Sequence, residues 1–448
     1  MIENNSNNDN LEGILLSETN SVCPVCLKRV EARYFAYSNG VFLEKSCREH
    51  GDFRVLVWDE PVGFLKWKTR IGQEEEIKGN CPNDCGICEN HIQDTCCVLL
   101  ELTQRCDLGC PVCFASSING NAANDPDIAQ ITGWYDMLKE RGGQYNIQLS
   151  GGEPTMRDDL HEIIRIGRER GFTFFQLNTN GLRIAREDGY IEKLAAEGLS
   201  TVFLQFDGFA EKTNMFLRGR YLTEDKLRAV KRCREVSVGV VLVPTIIRGV
   251  NDTEIGKIMN YAAENMPIIR GVHFQPISLF GRYSVNSDAR ITIPELLERI
   301  EMQTEGKVKK KDFSPSNAEH PLCGFHADYT VTGGNWQFIK GSNEGCNCGV
   351  SSAQARSAVA RKWNAPDEII SVKENISNEA MSFDDFINLR QNTTLAISGM
   401  SFQDAYTIDL NRLRRCYIHI ISQDGRLIPF CSYNLSSDSG KTLYRYKN

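Results

Sequence analysis

The chain has 448 residues, 41% of them hydrophobic and 24% charged, enough for one large catalytic domain with smaller appendages around an ordinary globular core. A formal net charge of -7 gives no basic field for nucleic acid, and the longest apolar run, near Val238 to Val243, is far too short to cross a bilayer. The polar, Asn-rich stretch 1–10 has neither the basic nor the apolar part of a secretory signal, so a cytoplasmic protein is expected.

In chain order, residues 1–20 read as a mobile tail. Residues 21–60 form a small unit in which Cys23-x2-Cys26 and Cys47-x2-His50 flank a stretch of alternating apolar character. Such knuckles joined by a hairpin suit one tetrahedral zinc or one iron; the alternative is an unmetallated hairpin with chance thiols. The seventeen cysteines are odd in number and eight crowd between Cys81 and Cys113. In a cytosolic chain that crowding argues for metal or iron–sulfur ligation over disulfides, whereas a lone thiol such as Cys233 reads as structural. Cys81-x3-Cys85-x2-Cys88 with Cys96 can supply four ligands to an auxiliary [4Fe–4S] cluster, with Cys97 as the alternative to Cys96.

Residues 81–280 alternate apolar strands with amphipathic helices. Strands are expected over 97–103, 145–150, 172–178, 201–206, 238–244 and 271–276, with helical patterns such as 160–170, 190–197 and 224–236 between them. Right-handed crossovers then allow either a doubly wound sheet or an open (β/α)6 barrel, both binding ligands at the carboxyl ends of the strands.

The motifs sit at those ends. After the first strand, Cys106-x3-Cys110-x2-Cys113 places three thiols in one loop. Three thiolates can hold three corners of an iron–sulfur cube. The open iron could then chelate the amino and carboxylate groups of S-adenosylmethionine (SAM), whose reductive cleavage yields a 5′-deoxyadenosyl radical. Taken alone, the three cysteines also suit a zinc or ferredoxin-type site. After the second strand come Gly151, Gly152 and Glu153; paired glycines let a ligand approach the backbone, and Glu153 can take the SAM ammonium. Asn178 and Asn180 follow the third strand with acceptors suited to a ribose or amino-acid moiety. Gln205 and Asp207 follow the fourth, and Arg218 can pair with the SAM carboxylate or be a solvated surface arginine.

Residues 281–448 carry Cys323, Cys346 and Cys348, a charged helical stretch near 352–395 and a final hairpin. A two-residue turn at Asp424-Gly425 sets Ile418 opposite Cys431 and Cys416 opposite Tyr433, which makes Cys416 and Cys431 diagonal neighbours on one face. With Cys323, Cys346 and Cys348 they give five candidates for the four positions of a second auxiliary cluster; packed thiols on a half-buried hairpin are the alternative.

The cysteine motif, GGEP and NTNG, each after its own strand, together resemble the radical SAM superfamily over about residues 95–280. The resemblance implies a partial (β/α)6 TIM barrel, a [4Fe–4S] cluster on Cys106, Cys110 and Cys113, and SAM. Many members have an aromatic residue just before the last cysteine; here Val112 stands there and Phe114 follows. A second SAM-cleaving site at Cys81–Cys88 has the matching spacing but no GGE partner. The flanks, CPVCLKRVEARYF…KSCREHG, CPNDCGICENHIQDTC, HPLC and CYIHIISQDGRLIPFCSYN, look like the subgroup that contains tetraether lipid synthase, multi-cluster proteins with a rubredoxin-like or zinc-ribbon-like N-terminal unit.

That likeness extends over about 21–435, with 350–400 unmatched. It implies hydrogen abstraction from an unactivated carbon and C–C bond formation on lipid chains, two auxiliary [4Fe–4S] clusters, a ferredoxin- or flavodoxin-like reductant and a place in the cytoplasm or at the membrane edge, although no membrane-binding amphipathic helix stands out. The alternatives are a methylase of a pterin-like small molecule, a peptide maturase, and a multi-cluster electron carrier without catalysis. GGEP and NTNG speak against the carrier, which needs no SAM pocket.

Overall fold

The structure, a computed structural model, describes residues 13–68, 77, 79–88, 90–117, 121–315, 318–340, 351–366, 368–369 and 382–445. Four antiparallel strands, β1 (Ile14–Val22), β2 (Arg29–Tyr37), β3 (Gly40–Cys47) and β4 (Gly51–Trp58), form a sheet in the order 1-2-3-4. The N-terminal unit therefore begins at Ile14, inside the stretch whose polarity reads as a tail. Its apolar residues, Ile14 to Leu16, are exposed or half-buried, while two of its three buried positions, Thr19 and Ser21, are polar, so the strand carries no apolar alternation that a sequence pattern can detect.

The second sheet carries β5 (Cys97–Thr103), β6 (Asn146–Gly151), β7 (Phe175–Thr179), β8 (Thr201–Gln205), β9 (Gly239–Val243) and β11 (Ile269–Pro276), with the short β10 (Thr245–Ile246) paired to β11. Each of these six long strands lies parallel to its predecessor, in strictly sequential order. A doubly wound sheet needs a reversal of strand order, and none occurs here, so the architecture is the partial (β/α)6 barrel.

Alternation along the strands separates two faces. Ile147, Leu149, Phe175, Leu177, Val202, Leu204, Val240 and Leu242 are fully buried against the surrounding helices. The alternate residues, Gln148, Asn178, Phe203, Gln205, Val243, His273 and Gln275, face the concave side and are half-exposed.

The sheet continues beyond the expected barrel through the C-terminal region. Strand β14 (Thr394–Met400) runs parallel to β11, and β12 (Gly324–Thr332) and β13 (Asn335–Phe338) follow it antiparallel. On the other edge, β15 (Ile418–Ile421) pairs parallel with β5 and antiparallel with β16 (Leu427–Pro429). Residues after 281 thus complete the barrel sheet rather than forming a separate layer.

The final hairpin differs from the expected one. His419 pairs with Pro429 and Ile421 with Leu427, while the amide of Ser422 donates to the carbonyl of Arg426, so the loop has three residues and the register shifts by one. Gly425 takes the left-handed conformation, φ 78°, that closes such a loop. Cys416 precedes the strand and Cys431 lies in the helix Phe430–Asn434, so the two are not sheet neighbours.

The helix Ser352–Trp363, within the stretch 350–400 left unmatched by the sequence motifs, packs against the barrel strands: Trp363 clusters with Phe174, Val241 and Ala396. A Cβ on Gly239 would lie 2.4 Å from the Trp363 carbonyl oxygen, and one on Gly271 would lie 2.6 Å from its ring, so these two glycines admit the plug. Among the described residues no helix is long and apolar enough to cross a membrane.

The small sheet is fastened to the C-terminal region by buried polar bonds. Thr19 and Tyr34 hydroxyls donate to the Asp409 carboxylate at 2.6 and 2.8 Å, and the Lys45 ammonium donates to Ser21 Oγ and the Ala405 carbonyl. Asp409 also caps the helix Leu410–Leu413. Substituting Asp409→Ala strands two buried hydroxyls, each costing about 1–3 kcal/mol. Amide exchange in β1 and β2 is expected to accelerate by roughly 10- to 100-fold with the metal content of the N-terminal unit unchanged; exchange as slow as in the wild type would show that the sheet is held by apolar contacts alone.

Candidate functional site

The loop after β5 carries Cys106, Cys110 and Cys113 and is gripped from two sides. From the second strand, the amides of Gly152 and Glu153 donate to the carbonyls of Thr103 and Arg105 at 2.7 and 2.8 Å. A Cβ on Gly151 would lie 2.3 Å from the Thr103 carbonyl oxygen and one on Gly152 2.2 Å from that of Arg105. The space that the glycine pair was expected to give a ligand is therefore taken by the cysteine loop's own backbone. From the opposite side, Arg218 donates to the Val112 carbonyl at 3.1 Å and Arg282 to the Cys110 carbonyl at 2.7 Å. Cys113 and Arg282 also exchange a pair of backbone bonds.

Cys110 packs with Leu108, Leu182 and Leu222, and Cys106 and Cys113 lie against the same cluster, so the three thiols share one apolar hollow. Burial pushes the Cys106 thiol up to about 11, and backbone amides of Leu108 and Gly109 pull it back. Burial also raises Cys110, which the nearby Arg218 cation opposes. A thiol raised by burial yet served by backbone donors and a cation suits a thiolate that is stabilised by metal.

Glu153 is buried, and its carboxylate accepts from Thr155 N, Thr155 Oγ1, Thr179 Oγ1 and Asn180 N at 2.7–3.1 Å. Burial nevertheless raises its carboxyl above the ordinary range. Asn180 Nδ2 donates to Asp107 Oδ1 at 2.7 Å, within the cysteine loop. The two strand-end motifs are thus tied to each other and to the thiols.

Arg218 is not a solvated surface residue. Its guanidinium grips the Asp207 carboxylate with two bonds at 2.6 and 2.8 Å, both side chains buried. The carboxylate that Arg218 was expected to take from SAM is here supplied by Asp207. Gln205 accepts from Lys226, and Asn178 and Gln205 face the barrel interior. The sequence reading passed over Lys226, Arg282 and Arg445. Lys226 is buried, donates to the Asn180 carbonyl, and is held down to about 8 by burial. Nothing in the helical pattern of Thr223–Glu235 separates it from a surface lysine. Arg445 pairs with Glu101 inside the barrel, from the end of the chain.

The N-terminal unit places Cys23, Cys26, Cys47 and His50 with their ligand atoms within 4.8 Å of one another. Cys23 Sγ and Cys47 Sγ lie 3.6 and 3.4 Å from His50 Nδ1. Tetrahedral zinc with ordinary Zn–S and Zn–N bonds spaces a sulfur and a nitrogen about 3.6 Å apart. The Cys47 thiol is held down to about 6 by its bond from His50.

The remaining thiols divide. Cys81, Cys85 and Cys88 act on one another electrostatically, Cys85 also accepting from Ser432 Oγ at 3.2 Å. Cys96 packs elsewhere, with its sulfur 3.7 Å from that of Cys97 and beside Ala355 and Tyr417, so the structure does not bring it to the other three. The backbone of Tyr417 holds it there through the amides of both Cys96 and Cys97. Cys323, Cys416 and Cys431 line one cavity of about 380 Å³, its mouth included. They meet there through the Phe430–Asn434 helix rather than across the hairpin. Cys346 and Cys348 lie outside the described residues.

A family profile for the radical SAM superfamily matches residues 100–262, and one for the HMPTM N-terminal zinc ribbon domain matches residues 15–59. The chain is 33% identical to the 7,8-dihydro-6-hydroxymethylpterin dimethyltransferase of Methanocaldococcus jannaschii, with 93% of each chain covered. This chain belongs to the radical SAM superfamily. Shorter likenesses link it to the Fe-coproporphyrin III synthase of Methanosarcina barkeri, 34% identical over 33% of this chain and 36% of that one, and to a probable GTP 3′,8-cyclase of Pyrococcus horikoshii, 29% identical over 39% and 55%.

As a radical SAM enzyme the protein uses a [4Fe–4S] cluster and SAM, and the three-thiol hollow, with one buried and two partly exposed sulfurs, has the donor chemistry to hold such a cluster. Breaking the Asp207–Arg218 pair strands a buried guanidinium, at a cost of about 3–5 kcal/mol. Asp207→Asn is expected to lower the urea-unfolding free energy by that amount and to lose the iron of one cluster. Wild-type stability and iron content in this variant would show that the pair does not shape the loop. Separately, Cys23→Ser/Cys26→Ser is expected to lose one metal ion per chain with cluster iron unchanged, read by elemental analysis; an unaltered metal count would reduce the unit to a hairpin.

Proposed function

We propose that the protein is a radical SAM methyltransferase acting on a pterin-like heterocycle, with the cluster on Cys106, Cys110 and Cys113. The observation that carries this reading is the polar, solvent-reached interior of the barrel, where Gln148, Asn178, Gln205, His273 and Gln275 alternate with fully buried outward residues. A lipid chain needs an apolar lining, since polar side chains left without partners by it each cost about 1–3 kcal/mol. The lipid expectation raised by the flanks thus gives way to the methylase alternative, which the relative matched over nearly the whole chain also supports.

Bound in the hollow, the cluster and SAM supply a one-electron cleavage that gives methionine and a 5′-deoxyadenosyl radical. The protein's own residues do the rest by position. Glu153, Asn180 and Asp107 fix the strand ends around the hollow, and Asp207 with Arg218 fixes its far wall. The hydrogen abstracted from the acceptor carbon leaves as 5′-deoxyadenosine; the carbon radical then takes the methyl group of an N-methyl one-carbon donor, whose C–N bond breaks and whose nitrogen leaves as N–H after gaining one electron and one proton. The electrons come from a ferredoxin- or flavodoxin-like protein.

Two further clusters fit the remaining thiols, one at Cys81, Cys85 and Cys88 and one at Cys323, Cys416 and Cys431, and the ribbon holds zinc. Reconstituted protein is expected to carry about twelve irons, for three four-iron clusters; about four would leave only the SAM site. With SAM, a strong reductant, an N-methyl one-carbon donor and 7,8-dihydro-6-hydroxymethylpterin, it is expected to form 5′-deoxyadenosine and a pterin heavier by one CH2 unit per transfer. The Cys106→Ala/Cys110→Ala/Cys113→Ala variant is expected to form neither, measured by mass spectrometry. Undiminished 5′-deoxyadenosine from the variant would move the radical chemistry to another set of thiols.

A further inference from the structure

The concave face of the barrel has a composition that SAM chemistry does not explain. SAM is expected at the carboxyl ends of the strands, near the thiols. From mid-strand to the strand ends, the inward positions carry carboxamides on four strands: Gln148 on β6, Asn178 on β7, Gln205 at the end of β8 and Gln275 on β11.

Their hydrogen bonds are directional. Gln176 Nε2 donates to Asn178 Oδ1 at 2.7 Å, and Asn178 Nδ2 donates to Gln148 Oε1 at 3.4 Å. That chain ends with the Gln148 NH2 group, which has no partner among the described residues. The Gln205 oxygen accepts from Lys226, which leaves its NH2 group open, and the Gln275 carboxamide has no side-chain partner among the described residues. Half-exposed groups with open donors and acceptors, aimed into one concavity, are satisfied by water until a ligand replaces it.

A flat wall accompanies them. The rings of Phe203 and His273 lie 5.9 Å apart at an interplanar angle of 30°. His273 meets Ser398 Oγ through Nδ1 at 2.9 Å, and burial pushes its pKa down to about 4, so the imidazole is neutral at physiological pH. The inward acid Glu101 is taken by Arg445, Arg270 on β11 is held by the carbonyls of Pro267, Lys362 and Gln391, and Lys226 is held by the Asn180 carbonyl and Gln205. The strand side chains beside the open amides are therefore polar and uncharged, and aromatic faces flank them.

We infer that Gln148, Gln205 and Gln275 form the specificity edge of the substrate site and that Phe203 and His273 form its stacking wall, together reading an uncharged, planar heterocycle with a pyrimidinone-type edge. A pyrimidinone presents N–H and C=O groups side by side, the same donor and acceptor pair that a carboxamide offers. Aromatic faces at this spacing hold a flat ring by offset stacking. The cations that approach it, Lys226 and Arg270, are already held by protein oxygens, which disfavours a phosphate-bearing nucleotide that needs a positive partner. This inference rests on the methylation reading and deepens it by assigning the substrate contacts.

The test uses the reconstituted holoenzyme with SAM, a strong reductant, an N-methyl one-carbon donor and 7,8-dihydro-6-hydroxymethylpterin as probe. Dihydropterin binding is followed by fluorescence, and 5′-deoxyadenosine formed without pterin is followed in parallel. Gln148→Leu and Gln275→Leu keep side-chain bulk and remove the hydrogen bonds. Each is expected to weaken dihydropterin binding and raise KM about tenfold, with kcat and the pterin-independent 5′-deoxyadenosine kept near wild type. The 2-desamino analogue is expected to bind the wild type more weakly and to bind the variants with less additional loss. Retained 5′-deoxyadenosine formation certifies that a variant is folded; if a Leu variant loses it, the analogue's discrimination by the wild type decides in its place. A wild type that binds and methylates the pterin while both Leu variants bind it equally well overturns this inference alone. A wild type that forms 5′-deoxyadenosine but neither binds nor methylates the pterin overturns the methylation reading and the inference with it.

Discussion

The loop holding Cys106, Cys110 and Cys113 contains no helix or strand, so its shape is whatever its neighbours impose. Two constraints decide that shape. One is the backbone contact between Gly151–Gly152 and Thr103–Arg105, too close for any side chain. The other is the buried Asp207–Arg218 pair, whose guanidinium also holds the Val112 carbonyl. Every strand end around the hollow is bonded either to this loop or to a residue that is. The thiols thus inherit the rigidity of the sheet, which ordered thiol ligands on an irregular loop require.

The two faces of the barrel sheet divide the work. Outward, a continuous apolar layer against the helices supplies the stability of the domain. Inward, the usual filling of a closed barrel by branched apolar side chains is replaced by amides, an imidazole and one accessible phenylalanine. The helix Ser352–Trp363 seals one region of that interior with a tryptophan; Lys362 pairs with Asp328, and Arg270 is held by backbone carbonyls. The result is a polar, half-exposed concavity beside an apolar hollow lined by thiols.

Much of this was legible in the chain. The three cysteine spacings, the order of strands and the motifs after them follow from short-range patterns, and the structure has strands and helices where the period demands them. The ribbon's four ligands were readable for the same reason, since two knuckles at fixed spacing need only a hairpin to meet. What escaped depended on distant pairing. Cys96 looks like a fourth ligand by spacing, yet β5 begins beside it and carries it toward Tyr417. Asp424-Gly425 signals a turn, but the third loop residue and the short helix after Pro429 are not encoded in the dipeptide. The roles of Lys226 and Arg282 rest on what lies opposite them in space, for which a helix or loop pattern holds no sign. Glu153 and Arg218 carry the right charges for a ligand, and only coordinates reveal that protein partners already occupy them.

The first barrel strand is finished by the last part of the chain. β15 covers one edge of β5, and Arg445 neutralises Glu101 inside it. Both partners lie far along the chain from β5, so until they are made β5 has a bare edge and an unpaired buried acid. The ribbon, by contrast, needs only its own four strands and a metal ion to take shape while the rest is still being made. The sheet edge beside the thiol loop therefore stays open until a segment distant in the chain docks on it, whereas the ribbon waits for nothing beyond its own strands and metal.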